Sequence, residues 1–272
     1  MKRVRALIIT SHPGPSLAIT GLATLLAAQA APHGIGPVLT APALLAGQVS
    51  IGWSNDACDA ARDAAAGRTD KPLARGDISA AAVWTAAGAA AAAGLAMALA
   101  IGPVTGGLYA LAIATGWAYN LGLKSSLASG AMYLLGFGLM PAYAASTLPG
   151  HPAPRWPITV AAALLGLGAH FANVLPDLAA DRATGVGGLP QRVADRWGPG
   201  AVRAAALALL LTASVLLLLG ATRRWVAIPG LTAALLLAVA AARGTGRVPF
   251  LASIGIAAVD IVLFTTGGEA VL

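Results

Sequence analysis

Apolar stretches of about 20 residues, the length that a helix needs to cross a bilayer, recur along almost the whole chain. The mean hydropathy is +0.78, and 58% of the residues are apolar while 10% are charged. Such stretches are too numerous for one soluble core, so the sequence predicts a polytopic membrane protein. We predict nine transmembrane helices, over residues 10–31, 35–55, 78–99, 102–123, 127–147, 156–176, 200–219, 224–242 and 248–267.

Gly and Pro mark most of the joints between these stretches, as at Gly102-Pro103 and Gly198-Pro199-Gly200, where a helix would otherwise continue. No separate soluble domain is visible, so residues 1–272 are interpreted as one all-α domain. The single cysteine, Cys58, excludes an internal disulfide framework and a multi-cysteine metal site.

The distribution of basic residues predicts the orientation. The first apolar stretch follows Lys2, Arg3 and Arg5 and ends like a signal peptide. Because further spans follow at once, we interpret this stretch as a transmembrane helix. With a cytoplasmic N-terminus, all Lys and Arg except Arg155, Arg223 and Arg224 lie at cytoplasmic ends, as expected for a multi-pass plasma-membrane protein. The net charge of +7 is then mostly a consequence of topology, and nucleic-acid binding is the weaker interpretation.

Acidic residues gather on the same predicted cytoplasmic side. In "SNDACDAARD", residues 54–63, Asn55, Asp59 and Asp63 are spaced i, i+4, i+8 and would form one stripe about 12 Å long on a helix, with Asp56 beside it. Negative charge is not needed there for orientation, so the cluster suggests a site.

A second stripe is predicted at the end of the sixth span, in "HFANVLPDLAADRATG". His170, Asn173, Asp177 and Asp181 recur there at i, i+3, i+7 and i+11, which would place them on one helical face. Two acidic stripes in a low dielectric would repel each other unless cations lay between them. Oxygen-only ligands favour magnesium that shares its coordination shell with phosphate oxygens. The alternative is that these acids are solvated residues of ordinary loops.

These motifs resemble those of the UbiA superfamily of intramembrane prenyltransferases. "NDACDAARD" is similar to the Asn-Asp-x-x-Asp-x-x-x-Asp signature, and "DLAADRATG" to the Asp-x-x-x-Asp-x-x-x-Gly signature. "RTDKPLARG" and "GGLPQRVADRWG" are similar to the loops that follow each signature, and the predicted nine helices agree.

The resemblance implies nine helices around a central cavity, with the two acidic motifs facing each other at its cytoplasmic end. It also implies Mg²⁺ as cofactor, an allylic isoprenyl diphosphate as donor and an acceptor that the allylic cation alkylates within the bilayer. The implied metal ligands are Asn55, Asp56, Asp59, Asp63, Asp177 and Asp181. Lys124, Arg68, Lys71 and Arg182 are candidates to hold diphosphate oxygens, although topology alone also explains the loop Arg residues.

The chain departs from the family pattern at two positions. The usual Tyr-x-x-x-Lys of the fourth span is replaced by Tyr119 and Lys124, five residues apart, with Asn120 at the fourth position before the lysine. Asn173 stands where the second motif usually opens with an acid, so this residue can coordinate but brings no charge. Both Tyr119 and Asn173 are kept as cofactor-binding candidates.

The acceptor is left open by the sequence. Relatives use hydroxybenzoates, naphthoates, haem, phosphoribose or glycerol phosphates, or cyclise the isoprenyl cation onto itself. We expect transfer to an aromatic or other small lipophilic acceptor, with a UbiA-type terpene cyclase as the alternative and a cation transporter ranked lower. His170 is interpreted mainly as a structural residue, and Asp260, inside the ninth span, is predicted to point inward.

Overall fold

The computed structural model describes residues 2–30, 35–220 and 223–266. Within these ranges the regular structure is helical, with no β-strand. The helices are α1 (Lys2–Thr10), α2 (Pro13–Ala30), α3 (Ile35–Ala65), α4 (Ala80–Ile101), α5 (Pro103–Asn120), α6 (Ser129–Ser146), α7 (Trp156–Val174), α8 (Leu178–Ala183), α9 (Leu189–Trp197), α10 (Pro199–Gly220), α11 (Arg224–Arg243) and α12 (Val248–Thr266). A short 3₁₀ turn covers Leu123–Ser125.

Each predicted apolar stretch coincides with one long helix of the described chain, and most boundaries agree within a few residues. The predicted ends at residues 31 and 267 lie outside the described residues. Proline begins several of the helices, as Pro13 does for α2, because its missing N–H would have no partner in the first turn. The all-α prediction is therefore confirmed.

Three of these helices are long and apolar enough to cross a membrane: Ala80–Ile101, Trp156–Val174 and Pro199–Leu219. Two shorter apolar segments, Ile228–Arg243 and Val248–Asp260, follow them. The count of nine spans therefore remains a prediction.

Three corrections to the predicted helices concern one end of the bundle. The basic N-terminus is a separate helix, α1, and not only a flank of the first span. Helix α3 continues to Ala65, ten residues beyond the predicted end at residue 55, so that the first acidic stripe is helical throughout. Two short helices that the sequence did not predict, α8 and α9, follow α7.

The second acidic stripe is not one continuous helical face. Helix α7 ends at Val174 and α8 begins at Leu178. The cause is Pro176, which has no N–H to donate and whose ring would clash with the carbonyl of the preceding turn. The predicted stripe is therefore divided: His170, which is buried, and Asn173, which is exposed, belong to α7, whereas Asp177 and Asp181 follow the break.

The long helices pack in chain order, and α12 returns to contact both α2 and α7, so the last helix closes the bundle onto the first. One apolar cluster joins α7, α10, α11 and α12 around Leu165, Leu210 and Ile256. A second cluster joins α1, α3 and α4 around Ala6, Ala57 and Val83. This second cluster fixes α1 and the loop after α3 beside the first acidic motif.

Candidate active site

Asp56, in the first acidic motif, is almost fully buried, with 3% of its side chain exposed. Its Oδ1 accepts two hydrogen bonds, from Lys71 Nζ at 2.7 Å and from His12 Nε2 at 2.8 Å. Lys71 lies in the loop after α3, and His12 lies between α1 and α2. One carboxylate oxygen therefore connects three separate segments of the chain.

Asp59, one turn further along α3, is paired with two cations. Lys124 Nζ donates to its Oδ1, and Arg62 Nη2 lies 2.7 Å from its Oδ2. Both carboxylate oxygens are thus engaged, and the side chains of Asp59 and Lys124 are only 12% and 11% exposed. A pair this far from water has a strong and directional electrostatic interaction.

Asp63 completes the first stripe in the last turn of α3, beyond the predicted span. Burial raises the pKa of this carboxyl, and the nearby charge of Lys71 opposes the rise. Asn55, the first residue of the stripe, is half-buried, and its side chain makes no hydrogen bond among the described residues. Both side chains keep oxygen atoms that are free to bind a ligand.

In the second motif, Asp181 Oδ2 accepts a hydrogen bond of 2.7 Å from Gln191 Nε2 of α9. Burial raises the pKa of Asp181, and the negative charge of Asp177 adds to the rise. The Gln191 hydrogen bond opposes it. Asp177 and Asn173 are exposed, and neither side chain has a hydrogen-bond partner within the described chain.

Contacts through Lys124 and α9 connect the two motifs. Lys124 Nζ donates to Asp59, the Lys124 carbonyl lies against Gly188 at the start of α9, and Gln191 of α9 donates to Asp181. Lys124 and Arg62, which pair with Asp59, both act on Asp181 and lower its pKa against the effect of burial. The hydrogen bonds that Arg68 donates to Asp70 raise the pKa of Arg68, and the negative charges of Asp70, Asp63 and Asp177 add to the rise. That the two acidic helix ends face each other across one metal site remains a prediction.

Tyr119 is the last residue but one of α5, just before the turn that carries Lys124 to Asp59. Its ring makes edge contacts with Tyr133 at 5.3 Å and with His170 at 5.7 Å between centroids. His170 in turn stacks on Tyr133 at 4.4 Å. These three rings form one aromatic cluster that joins α5, α6 and α7.

His170 has a structural environment within this cluster. It is 1% exposed, and its Nε2 shares a hydrogen bond of 3.1 Å with Ser129 Oγ. The same Ser129 Oγ accepts from the backbone N–H of Leu189, the first residue of α9. Ser129 thus connects α6, α7 and α9 beside the second motif.

The unusual spacing of Tyr119 and Lys124 follows from the local backbone. Helix α5 ends at Asn120, and the 3₁₀ turn at Leu123–Ser125 carries Lys124 back toward Asp59. Asn120 is buried and donates to Ile51 O and Ser54 Oγ of α3. The asparagine therefore joins two helices, while Tyr119 and Lys124 both reach the site.

Two of the predicted diphosphate-binding cations are paired outside the acidic stripes. The Arg68 guanidinium donates to both oxygens of Asp70, at 2.9 and 2.8 Å, and holds the pKa of that carboxyl at about 2. Arg182 Nε donates to Asp195 Oδ1 at 3.0 Å, and both side chains are largely exposed. These loop cations would have to exchange partners to bind a ligand, whereas Lys71 and Lys124 already lie at the acids.

No group of three or more His, Cys, Asp or Glu side chains that could hold a metal ion is found in the described parts of the chain. The carboxylates of Asp56, Asp59 and Asp181 instead accept hydrogen bonds from Lys, His, Arg or Gln. The donor set is nevertheless all oxygen. Asp177 and Asp181 repel each other, and a cation between them would relieve that repulsion.

Sequence reasoning missed three residues of the site. Gln191 and Ser129 hold the second motif, and His12 holds the first. Gln191 lies in the loop segment that was compared with the family, so its position offered a signal. His12 and Ser129 offered none, because their partners are separated from them by more than 40 residues.

Asp260 of α12 is fully buried, and its Oδ2 accepts a hydrogen bond of 3.3 Å from Ser214 of α10. Its other oxygen has no partner within the described residues. The prediction that it points inward agrees with this burial. It is not part of the acidic site.

An all-helical bundle in which three described helices are long and apolar enough to cross a membrane defines the class of helical membrane proteins. The sequence profile of the UbiA prenyltransferase family matches residues 16–249, so the chain belongs to this family and is a membrane protein. A comparison with curated proteins found no match.

Solved structures share the fold. A UbiA homologue from Archaeoglobus fulgidus, bound to DMAPP and Mg²⁺, is 18% identical with a TM-score of 0.72, over 96% of this chain and 99% of that one. An apo homologue from Aeropyrum pernix K1 is 19% identical with a TM-score of 0.74, over 91% and 95% of the two chains. A digeranylgeranylglyceryl phosphate synthase is 16% identical with a TM-score of 0.69, over 98% and 99%.

Proposed function

We propose that the protein transfers an isoprenyl group from an allylic isoprenyl diphosphate to an aromatic or other small lipophilic acceptor within the membrane. The observation that carries this proposal is that Lys124, which donates to Asp59, lies with its carbonyl against Gly188 at the start of α9, and that Gln191 of α9 donates to Asp181. Both acidic motifs can therefore contribute to one diphosphate site. Membership of the UbiA family and the DMAPP and Mg²⁺ bound by the A. fulgidus homologue support this donor and cofactor.

The residues that would hold Mg²⁺ are Asn55, Asp59, Asp63, Asp177 and Asp181, together with the second oxygen of Asp56. Few carboxylates per ion are needed, because the diphosphate supplies further oxygen ligands. When bound, the metal would offset the negative charge that develops on the departing diphosphate.

The chain's own cations would bind the diphosphate. Lys124 and Lys71 are placed for this by Asp59 and Asp56, while Arg68 and Arg182 can join from the loops after exchanging partners. As the allylic C–O bond breaks, the electron pair leaves with the diphosphate, and preorganised positive charge stabilises it. The acceptor then supplies the electrons of the new bond to the allylic carbon and loses a proton.

The aromatic cluster would shield the allylic cation from water. The cluster of Tyr119, Tyr133 and His170 begins at the end of α5, next to the turn that carries Lys124, and the faces of such rings stabilise positive charge. The bundle would hold the isoprenyl tail in the apolar region beneath them. We expect nine spans, a plasma-membrane location and a cytoplasmic active-site face, from the distribution of Lys and Arg.

The test compares Asp59→Asn and Asp177→Asn with Asp77→Asn, a matched control whose carboxylate pairs with Arg75 outside the acidic stripes. Release of pyrophosphate from an isoprenyl diphosphate with Mg²⁺ should be lost in the first two variants and retained in the third. Product analysis with and without an aromatic acceptor separates transfer from cyclisation. Full turnover in Asp59→Asn or Asp177→Asn would refute the site, and magnesium flux that ignores the diphosphate would favour a transporter.

A further inference from the structure

His12 reaches the first acidic motif from the junction of α1 and α2, a part of the chain that the proposed function does not use. Its Nε2 donates to Asp56 Oδ1 at 2.8 Å, beside the hydrogen bond from Lys71 Nζ to the same oxygen. Among the described residues, the His12 imidazole is the only group of the N-terminal segment that makes a hydrogen bond to the Asp56 carboxylate.

The backbone of His12 is held in an unfavourable conformation. Its φ is +50°, in the left-handed region that residues other than glycine rarely adopt. Pro13 follows directly, and the residue before a proline normally prefers an extended backbone. Such strain persists only where the surrounding structure holds it, and it is a reason to look for a function.

The surrounding chain presses this junction onto α3. Gly52 makes the close approach possible, because a Cβ at this position would lie only 2.7 Å from the carbonyl oxygen of Ser11. One residue on, Trp53 Nε1 donates to Leu7 O of α1 at 2.9 Å. The fold thus brings His12 to α3 one turn before Asp56.

We propose that His12 is a positioning residue of the diphosphate site. Its N–H fixes the orientation of the Asp56 carboxylate, and Asp56 in turn fixes the Lys71 ammonium. His12 acts through these two side chains and does not touch the substrate. This inference rests on the proposed function, because Lys71 is expected to bind the diphosphate.

The test uses His12→Gly, which removes the imidazole while glycine suits the left-handed backbone. The matched control is His151→Gly. His151 has a φ of +46° and donates from Nδ1 to Ser146 O, near the far end of α6 from the site. The dissociation constant of inorganic pyrophosphate with Mg²⁺ is measured by calorimetry on the purified full chain in detergent, beside the thermal unfolding midpoint.

We expect His12→Gly to weaken pyrophosphate binding about 10- to 100-fold, as for a lost hydrogen bond to a charged group, and His151→Gly to leave it within about twofold. His12→Gln, whose amide N–H can replace Nε2–H, should recover binding to within about threefold of the wild type. In a Lys71→Met background, His12→Gly should have little further effect, because both changes disable the same group.

The inference is overturned if His12→Gly binds pyrophosphate like the wild type, if His12→Gln is as weak as His12→Gly, or if the effects of His12→Gly and Lys71→Met simply multiply. Equal losses of binding in His12→Gly and His151→Gly would also overturn it, since they would indicate a general effect on folding. A wild-type protein that binds no pyrophosphate with Mg²⁺ would instead refute the proposed function and this inference with it.

Discussion

We predict that one added methyl group, in Gly188→Ala, moves the second acidic motif away from Lys124 and the first motif. Gly188 immediately precedes α9, and a Cβ there would lie 2.5 Å from the carbonyl oxygen of Lys124 and 2.9 Å from Ser129 Oγ. Gln191 Oε1, at 2.8 Å, can turn away, but the Lys124 carbonyl belongs to the backbone and Ser129 Oγ is held by its hydrogen bond from the Leu189 N–H. Gly188→Ala must therefore push α9 off the 3₁₀ turn that carries Lys124.

The expected loss of stability is about 1–3 kcal/mol, the usual range when a methyl group is forced into a filled space. For a chain of this size that corresponds to a fall of about 2–12 °C in the unfolding midpoint. Pyrophosphate binding should also weaken. Gln191 on α9 donates to Asp181, so a displacement of α9 would move Asp181 away from Lys124.

The assay is thermal unfolding in detergent with and without Mg²⁺ and pyrophosphate. Gly187→Ala is the matched control, since its Cβ would meet only Ser125 O at 3.8 Å, an ordinary contact. Gly188→Ala should unfold earlier than Gly187→Ala and gain less from the ligand. Equal midpoints and equal ligand stabilisation in the two variants would contradict this account of how α9 joins the motifs.

Lys124→Gln should weaken pyrophosphate binding about 10- to 100-fold by titration, while Arg62 remains on Asp59 and preserves the fold. Because the pKa of Asp181 is raised, protons compete with Mg²⁺ for this carboxylate at a higher pH than they would for an exposed one. Binding of pyrophosphate with Mg²⁺ should therefore weaken on acidification. The loss should be smaller in Asp181→Asn. Protonation of Asp181 itself favours the folded state, so unfolding measured in parallel should show no matching loss from this group. Asp260→Leu should raise the thermal unfolding midpoint or leave it unchanged, because one buried oxygen of Asp260 has no partner in the described chain. A lower midpoint would show that Asp260 stabilises the bundle.

The long helices could be located from the sequence because the bilayer requires continuous apolar stretches, and hydropathy reports these directly. Helices that lie at the membrane face do not have this signature. For that reason α1, α8 and α9 were missed, and the end of α3 was placed ten residues too early. Helical spacing alone predicted the first acidic stripe correctly. The second stripe was predicted as one continuous helix, although Pro176 ends α7 within it.

The site was predictable where partners are close in sequence or belong to a known motif, and not where the fold brings distant segments together. Asp59 and Asp181 were identified from their spacing. The contact of His12 with Asp56 depends on Gly52 allowing the backbone to approach, which no local pattern indicates. The five-residue spacing of Tyr119 and Lys124 looked like a departure, but a 3₁₀ turn restores the lysine to the site.

The pairing of the first acidic motif has a consequence for biosynthesis. The cations and the imidazole that hold Asp56 and Asp59 all precede residue 125 in the chain. A nascent chain that has emerged only this far from the ribosome can already balance the charge of its acids with partners of its own. The first half of the bundle can therefore enter the bilayer as a neutralised unit, before the segment that carries the opposing acids has been translated.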